Sequence, residues 1–459
     1  MVAICTKGEM CYIFESKKNK LKTGEMNMQK LKVILIGAGN RGLSYITHMG
    51  NMPEKFEVVG VADPIKERRD NIKNMFHLSE ENCFENWEDI LQKPKFADIA
   101  IIATMDNMHR EPALKAIDVG YHLLLEKPVA QTVKECVDIA VAAREKGVEV
   151  LVCHVLRYTP FYKKVKELVM QDAIGEVVSV VAVEAVGNQH QSHSYVRGDW
   201  HREDEATPML LAKCCHDLDI IQWLVDKSCK KVSSFGDLTH FVPENAPEGA
   251  PLRCINGGCP EEGKCPYHYK TVYFDTPSSR WMRHAVARGF AKDTEPTDEE
   301  VIEGLKNTNF GACVYHANNT VVDHQVVNME FEGGATASLT MNAFNCGGRY
   351  IRIFGTKGEL YANASDTEIT LFSFEPRKFE KISVEETEES ITGGHGGGDY
   401  GIVEELYDYL SGEYKGYCAA NIDTSVQNHI IGFAAEKARR ESTVEDVEKF
   451  GQEMGFVYR

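Results

Sequence analysis

The stretch Lys32-Val-Ile-Leu-Ile-Gly37-Ala-Gly39-Asn40-Arg41-Gly42 leaves this chain few ways to fold. Val33 to Ile36 reads as a buried strand that runs into a glycine turn and then a helix from about Arg41. Gly37 permits the tight turn. Gly39 has no side chain to hold a pyrophosphate off the backbone, and Gly42 lets the helix lie close on the strand. The helix N-terminus then aims free N–H groups and partial positive charge at the phosphates. Alone, G-x-G-x-x-G is a weak signal, and a glycine-rich turn without a ligand is the competing reading. Here the motif follows a strand and opens a helix. About twenty residues later Asp63 ends a second apolar strand, Val58 to Ala62, where a carboxylate can accept bonds from ribose hydroxyls. The stretch is read as a dinucleotide site.

Asp63 also bears on which dinucleotide. Its charge repels a 2′-phosphate and so favours NAD over NADP. Arg68 and Arg69 follow closely and are read as a solvated helix face.

At 459 residues the chain is long enough for two domains with cores of their own. Its formal net charge of −18 argues against nucleic acid or an anionic membrane surface as a partner. No apolar run is long enough to span a bilayer. Residues 1–30 lack the apolar core of a signal peptide and are read as a flexible extension. Fourteen cysteines scattered through such a chain suggest free thiols in a reducing cytosol.

Residues 31–155 alternate strands and helices. Ile65 to Phe76 has helical pattern. Ala97 to Ala103 is a continuous apolar strand, and Glu111-Pro112 opens a helix that Gly120 stops. His122 to Leu125 is the next strand. Thr132 and Glu135 have the spacing of a capping box, opening a helix that ends at Gly147 before the strand Val148 to Cys153. Repeated β-α units with continuous apolar strands mean an α/β doubly wound parallel sheet. Beyond it the pattern changes. A helix over Phe161 to Met170, a long strand over Val177 to Val186 and one helical run over Met209 to Val225 precede several strand pairs between Val326 and Val384. Val403 to Leu410 and Ser425 to Arg439 are closing helices. Residues 156–459 thus read as an α+β domain around an open, mostly antiparallel sheet. Residues 240–310, rich in Pro, Gly and charge, read as an insertion made of loops.

Glu126-Lys127-Pro128 follows the strand His122 to Leu125. Ligands in a doubly wound sheet sit at the carboxyl ends of strands, which points Lys127 at the nicotinamide. A partly desolvated lysine there can bond a substrate hydroxyl and help move its proton.

With these residues in view the chain resembles the Gfo/Idh/MocA family, the relatives of glucose–fructose oxidoreductase and inositol dehydrogenase. The matching residues are Gly37 to Gly42, Ala62-Asp63, Ala103-Thr104 with His109, Glu126-Lys127-Pro128, Arg157-Tyr158 and His216-Asp217-Leu-Asp219. The resemblance implies a Rossmann domain, a sheet domain that often mediates homo-oligomers, NAD(P), and redox chemistry on a sugar or cyclitol hydroxyl. It implies that Asn40, Arg41, Thr104, His109 and Glu126 join Gly37, Gly39, Gly42, Asp63 and Lys127 at the cofactor, that Arg157 and Tyr158 face substrate, and that the Lys127–Pro128 peptide is cis.

His216 lies in Lys213-Cys-Cys-His216-Asp217-Leu-Asp219. On a helix Lys213, His216 and Asp217 share a face. Oxidising a secondary alcohol needs a base for the hydroxyl proton, and histidine suits that role. Spacing alone favours a helix histidine satisfied in the core; the resemblance tips the reading toward catalysis. Many family members carry an aspartate four residues before this histidine, where this chain has Ala212. Lys213 beside it is read as the replacement partner of the substrate, with like charges lowering the pKa of Lys127, Lys213 and His216.

Asn188 to His201 reads as a polar loop whose Trp200 and His201 suit a sugar ring, against a plain solvated loop. Thr392 to Tyr400 is a glycine-rich turn that can bring His395 and Asp399 to a ligand, against a hinge. Cys254, Cys259 and Cys265 crowd a loop-rich stretch and suggest a thiolate site for structural zinc, with Cys313 as fourth ligand and His268 as its rival, against ordinary free thiols. The functional expectation is an NAD-dependent dehydrogenase or reductase of a small carbohydrate or cyclitol. An NAD-recycling glycosidase or lyase and a non-catalytic dinucleotide-binding protein are the alternatives.

Overall fold

The computed structural model describes residues 30–276, 280–288, 295–364, 366–385 and 395–458. The expected extension before Lys30 and the turn residues 392–394 lie outside the described residues.

The first sheet is built from β1 (Leu31–Ile36), β2 (Phe56–Ala62), β3 (Cys83–Phe84), β4 (Ile99–Ile102), β5 (His122–Leu125) and β6 (Val150–Val152). All pair in parallel, in the order β3-β2-β1-β4-β5-β6. Val33 to Ile36 are buried because helices cover both faces, which is why these strands read as unbroken apolar runs. The expected punctuation operates as read. Thr132 caps Val133–Lys146 with both bonds of the capping box, and Gly120 stops Arg110–Val119 in the left-handed conformation. The chain order reverses between β1 and β4, so the crevice of the sheet opens at their carboxyl ends.

The second sheet has nine strands. β7 (Val177–Ala185), β8 (Cys229–Asp237), β9 (His324–Phe331), β10 (Thr336–Asn342), β11 (Gly348–Gly355), β12 (Gly358–Asn363), β13 (Glu368–Ser373), β14 (Lys378–Ser383) and β15 (Glu445–Asp446) lie in the order β14-β13-β12-β11-β7-β10-β9-β8-β15. Every pair is antiparallel except β7 with β10, which a long excursion rather than a hairpin connects. One face packs on helices, including Cys215–Val225 and Ile422–Glu441. The outward face exposes Val181, Phe235, Tyr361 and Phe379.

Three local expectations are corrected. The run Met209 to Val225 is two helices, Met209–Ala212 and Cys215–Val225, broken at Lys213 and Cys214. Residues 240–310 are not only loops. Tyr269–Tyr273, Arg280–Val286 and Asp298–Asn307 are helices around a small core of their own, with Val272, Met282, Val286, Val301 and Leu305 buried. The capping box of Thr297 and Glu300 announces the last of these, within a charge-dense run that masks its apolar spacing. Finally, Asn188 to Arg197 is helical, and Gln191 to Arg197 are buried beneath that insertion.

Candidate active site

The turn after β1 lies against the end of β4. Gly37 has φ +91°, and a Cβ on it would fall 2.5 Å from the Ala103 carbonyl oxygen. A Cβ on Gly42 would fall 2.1 Å from the Gly37 oxygen. Around Gly39 the nearest atom to a built Cβ is 3.7 Å away, on Arg68, so the middle of the turn is the open part. The helix Asn40–Gly50 starts there. Asp63 accepts from the Ala38 amide at 2.7 Å and from the Ile65 amide at 2.8 Å, tying the end of β2 to the turn. This is a cradle a dinucleotide fits: an open glycine between two closed ones, a helix N-terminus and a buried carboxylate. Arg68 and Arg69 are not a solvated face. Arg68 Nη1 stands 3.8 Å from Asp63, and Arg69 donates to the Asp63 carbonyl at 2.5 Å, because the helix Lys66–Phe76 turns these side chains back on β2.

Arg41 is the hub of the motif helix. Its guanidinium donates to Glu126 at 2.7 Å and to Asp399 at 2.7 and 2.9 Å, and also meets Tyr45 and His395. Burial alone would raise the Glu126 carboxyl, but Arg41 and Lys127 outweigh it and hold the group below its ordinary range. Asp399 is likewise held low: His395 and Arg41 overcome the effect of burial. His395 and Asp399 therefore gather at the cofactor motif.

Lys127 leaves β5 through a cis peptide to Pro128 and donates its Nζ to the Ala212 carbonyl at 2.8 Å. The helix break at Lys213 presents that carbonyl, so a backbone oxygen stands where the family's aspartate side chain is expected. One of three ammonium donors is used. His216 lies four residues on, with Nδ1 buried and unpartnered. Burial pushes its pKa well down, and the charge of nearby Lys127 and the neighbouring His154 push the same way. The imidazole is therefore neutral at physiological pH, the form a base requires.

His154, after β6, meets the His216 ring edge-on at 5.9 Å and is itself lowered to about 4 by burial. Lys213 turns to Glu184, 3.5 Å away, and Glu184 pairs with Arg349 at 2.7 Å. Arg349 holds Asp217 at 2.9 Å. Burial nonetheless raises Asp217 to about 6, with Glu184 adding to the effect and Arg349 opposing it. Asp106, three residues before His109, is buried beside His109 and Lys127 and accepts from Trp200 Nε1 at 3.1 Å. Burial raises its pKa, with His109 and Lys127 opposing the effect. Sequence reasoning missed Asp106, His154, Glu184 and Arg349. Asp106 and His154 just follow β4 and β6, and the strand-end rule that picked Lys127 would have found them.

The other expected residues are placed as follows. His109 bridges the Pro128 carbonyl at 2.7 Å and the Thr104 carbonyl at 3.2 Å, and Thr104 Oγ1 donates to Met108. They hold the β4 and β5 ends together. Arg157 is buried with both arms on Asp219 at 2.6 Å, and the Tyr158 hydroxyl accepts from the Ala420 amide at 3.3 Å. His201 Nδ1 is 2.8 Å from the Gly198 carbonyl. Among the described residues, only His154, Cys215 and His216 bring three metal-ligating atoms within 4.8 Å of one another. Burial drives the Cys215 thiol up to about 12, which keeps it protonated and a poor ligand. Cys254, Cys259, Cys265 and Cys313 are free thiols that do not converge in this way, so zinc at these cysteines finds no support.

Family comparison agrees with this geometry. Residues 31–154 match the model of an oxidoreductase family with an NAD-binding Rossmann fold, and residues 166–445 match its C-terminal alpha/beta domain. The chain belongs to the Gfo/Idh/MocA oxidoreductase family. It is an NAD(P)-dependent oxidoreductase of the kind that acts on CH–OH groups. It is similar to YteT of Bacillus subtilis, 25% identical over 84% of this chain and 92% of that one. It is also similar to a levoglucosan dehydrogenase of Pseudarthrobacter phenanthrenivorans, 30% identical over 33% of this chain, and spans 40% of that protein's length. A solved levoglucosan dehydrogenase in complex with NADH and L-sorbose superposes with a TM-score of 0.65 at 18% identity, over 92% of this chain and 99% of that chain; that likeness is one of fold. No helix of the described residues is long and apolar enough to cross a membrane.

Proposed function

We propose that the protein moves hydride between NAD and a secondary hydroxyl carbon of a sugar, sugar derivative or cyclitol. The observation that carries this reading is that Lys127, from the end of β5, donates to the Ala212 carbonyl four residues before the neutral His216 of the second domain, close enough for its charge to act on that imidazole. The similarity to a levoglucosan dehydrogenase supports the substrate class.

When bound, the nicotinamide supplies the hydride acceptor or donor. Lys127 keeps two N–H donors for the substrate oxygen and polarises it. His216 takes the hydroxyl proton on its imidazole, at the ring nitrogen other than the sealed-in Nδ1, during oxidation and returns it during reduction. Glu126 accepts from the Lys127 amide at 2.9 Å, and the ammonium is positioned by the Ala212 carbonyl. Lys213, tied to Glu184, tunes the pocket through the Arg349–Asp217 pair. Arg157 supports from beneath through Asp219. The outward sheet face with Phe235, Tyr361 and Phe379 is the proposed contact for a homo-oligomer.

The test is a panel of sugars, cyclitols and glycosides assayed for NADH formation, with NAD and NADP compared. Lys127→Met should lower kcat by about two to four orders of magnitude while NAD binding is retained. Aglycone release without net NADH would instead identify NAD recycling.

A further inference from the structure

A series of packed aromatic rings leads from the catalytic lysine toward the surface. It begins at Trp200, whose indole N–H donates to Asp106 beside Lys127. Tyr195 follows at 6.4 Å between ring centroids, then His190 at 5.7 Å from Tyr195, then Trp281 at 5.1 Å from His190. Successive rings are tilted at 43° and 42°, and the last pair meets nearly at right angles, 77°. His190 lies between Tyr195 and Trp281; burial lowers its pKa strongly, and the nearby Lys213, His193, Arg349 and Lys127 add to the effect. Trp281 is one ring farther from the chemistry, and it is 46% exposed where its neighbours are covered.

Trp281 is held, not loose. It sits on the helix Arg280–Val286 of the inserted segment, beside Met282 and Val286 of that segment's own core. Its ring also meets His193 at 5.0 Å and 89°, and His193 is stacked on Phe310 at 4.7 Å. The indole is thus both fixed by its neighbours and half open to solvent. A flat aromatic ring suits the C–H face of a second sugar or a planar aglycone.

We propose that Trp281 and His190 form an outer subsite, so that the substrate is a glycoside with a further ring beyond the sugar that is oxidised. This rests on the function proposed above. One ring lies against Lys127, His216 and Trp200, and the next lies on Trp281.

The test compares p-nitrophenyl and methyl glycosides of glucose, galactose and N-acetylglucosamine, with NAD present. For the glycon that is oxidised, the aryl glycoside should have a KM about tenfold below that of the methyl glycoside. Trp281→Ala should erase that advantage while kcat stays within about twofold, and Trp281→Phe should restore most of it. Equal KM values for the two glycosides in the wild type, or a Trp281→Ala loss that is the same for both, overturns the subsite. If no sugar, cyclitol or glycoside gives NADH, the proposed function fails instead. Calorimetry with NAD and p-nitrophenyl glycosides then judges the subsite alone: binding that Trp281→Ala abolishes upholds it, and binding that is absent or indifferent to the variant refutes it.

Discussion

Acid should loosen this protein through its buried histidines. Burial is the largest cause in each case, taking His154 to about 4 and His193 and His429 to about 3. All three are neutral in the folded chain at pH 5, whereas an unfolded histidine, with a pKa of about 6.5, is protonated there. Between about pH 4 and 6.5 the unfolded chain therefore binds more protons, and stability falls as the pH falls. From pH 7.5 to 5.0 each histidine removes about 2 kcal/mol, and the three together about 6. Asp217 opposes them. Its folded pKa of about 6 exceeds the unfolded value, so it takes a proton first in the folded state, and it returns about 1 kcal/mol over the same interval. For these four groups the net loss of about 5 kcal/mol is a large part of an ordinary folding free energy. Urea unfolding followed by fluorescence and circular dichroism at the two pH values measures it. His429→Gln keeps an acceptor in reach of the Val129 amide, now 3.0 Å from Nε2, and should shrink the pH-dependent loss by about 2 kcal/mol. Equal or greater stability at pH 5.0 would refute the assignment of these histidines as neutral.

Gly42→Ala places a methyl 2.1 Å from the Gly37 oxygen and 2.9 Å from Leu35, and NAD affinity should fall by about tenfold or more in calorimetry. Asp63→Ser removes the carboxylate beside Arg68; the ratio of NADP to NAD use should rise by about tenfold, and an unchanged ratio would separate Asp63 from cofactor choice. Arg157→Met strands the Asp219 charge in the interior and should cost about 3–5 kcal/mol in urea unfolding, with little change in KM of the folded fraction. A higher KM at full stability would mark Arg157 as a substrate ligand.

The strand–glycine–helix stretch, the buried strands of the first sheet and their caps were legible because local physics fixes them. Each strand is apolar on both faces, and Gly37, Gly120 and Gly147 sit where the chain needs a left-handed residue. Lys127 was legible for the same reason, since its position follows from the end of a strand. The helix around His216 was legible only in part. Apolar spacing continues through Lys213 and Cys214, and nothing local records that the backbone breaks there and offers the Ala212 carbonyl to a lysine 85 residues earlier.

What the amino-acid order settles unaided is the phosphate cradle and the lysine above it, because turns, caps and strand ends answer to near neighbours. The packing of distant segments decided the rest. It buried Gln191 to Arg197 under an insertion with a core of its own, drew Asp399 onto Arg41, and locked Arg157 onto Asp219. Such pairings depend on which charges lose water together, and that is set by three-dimensional contact rather than by spacing along the chain.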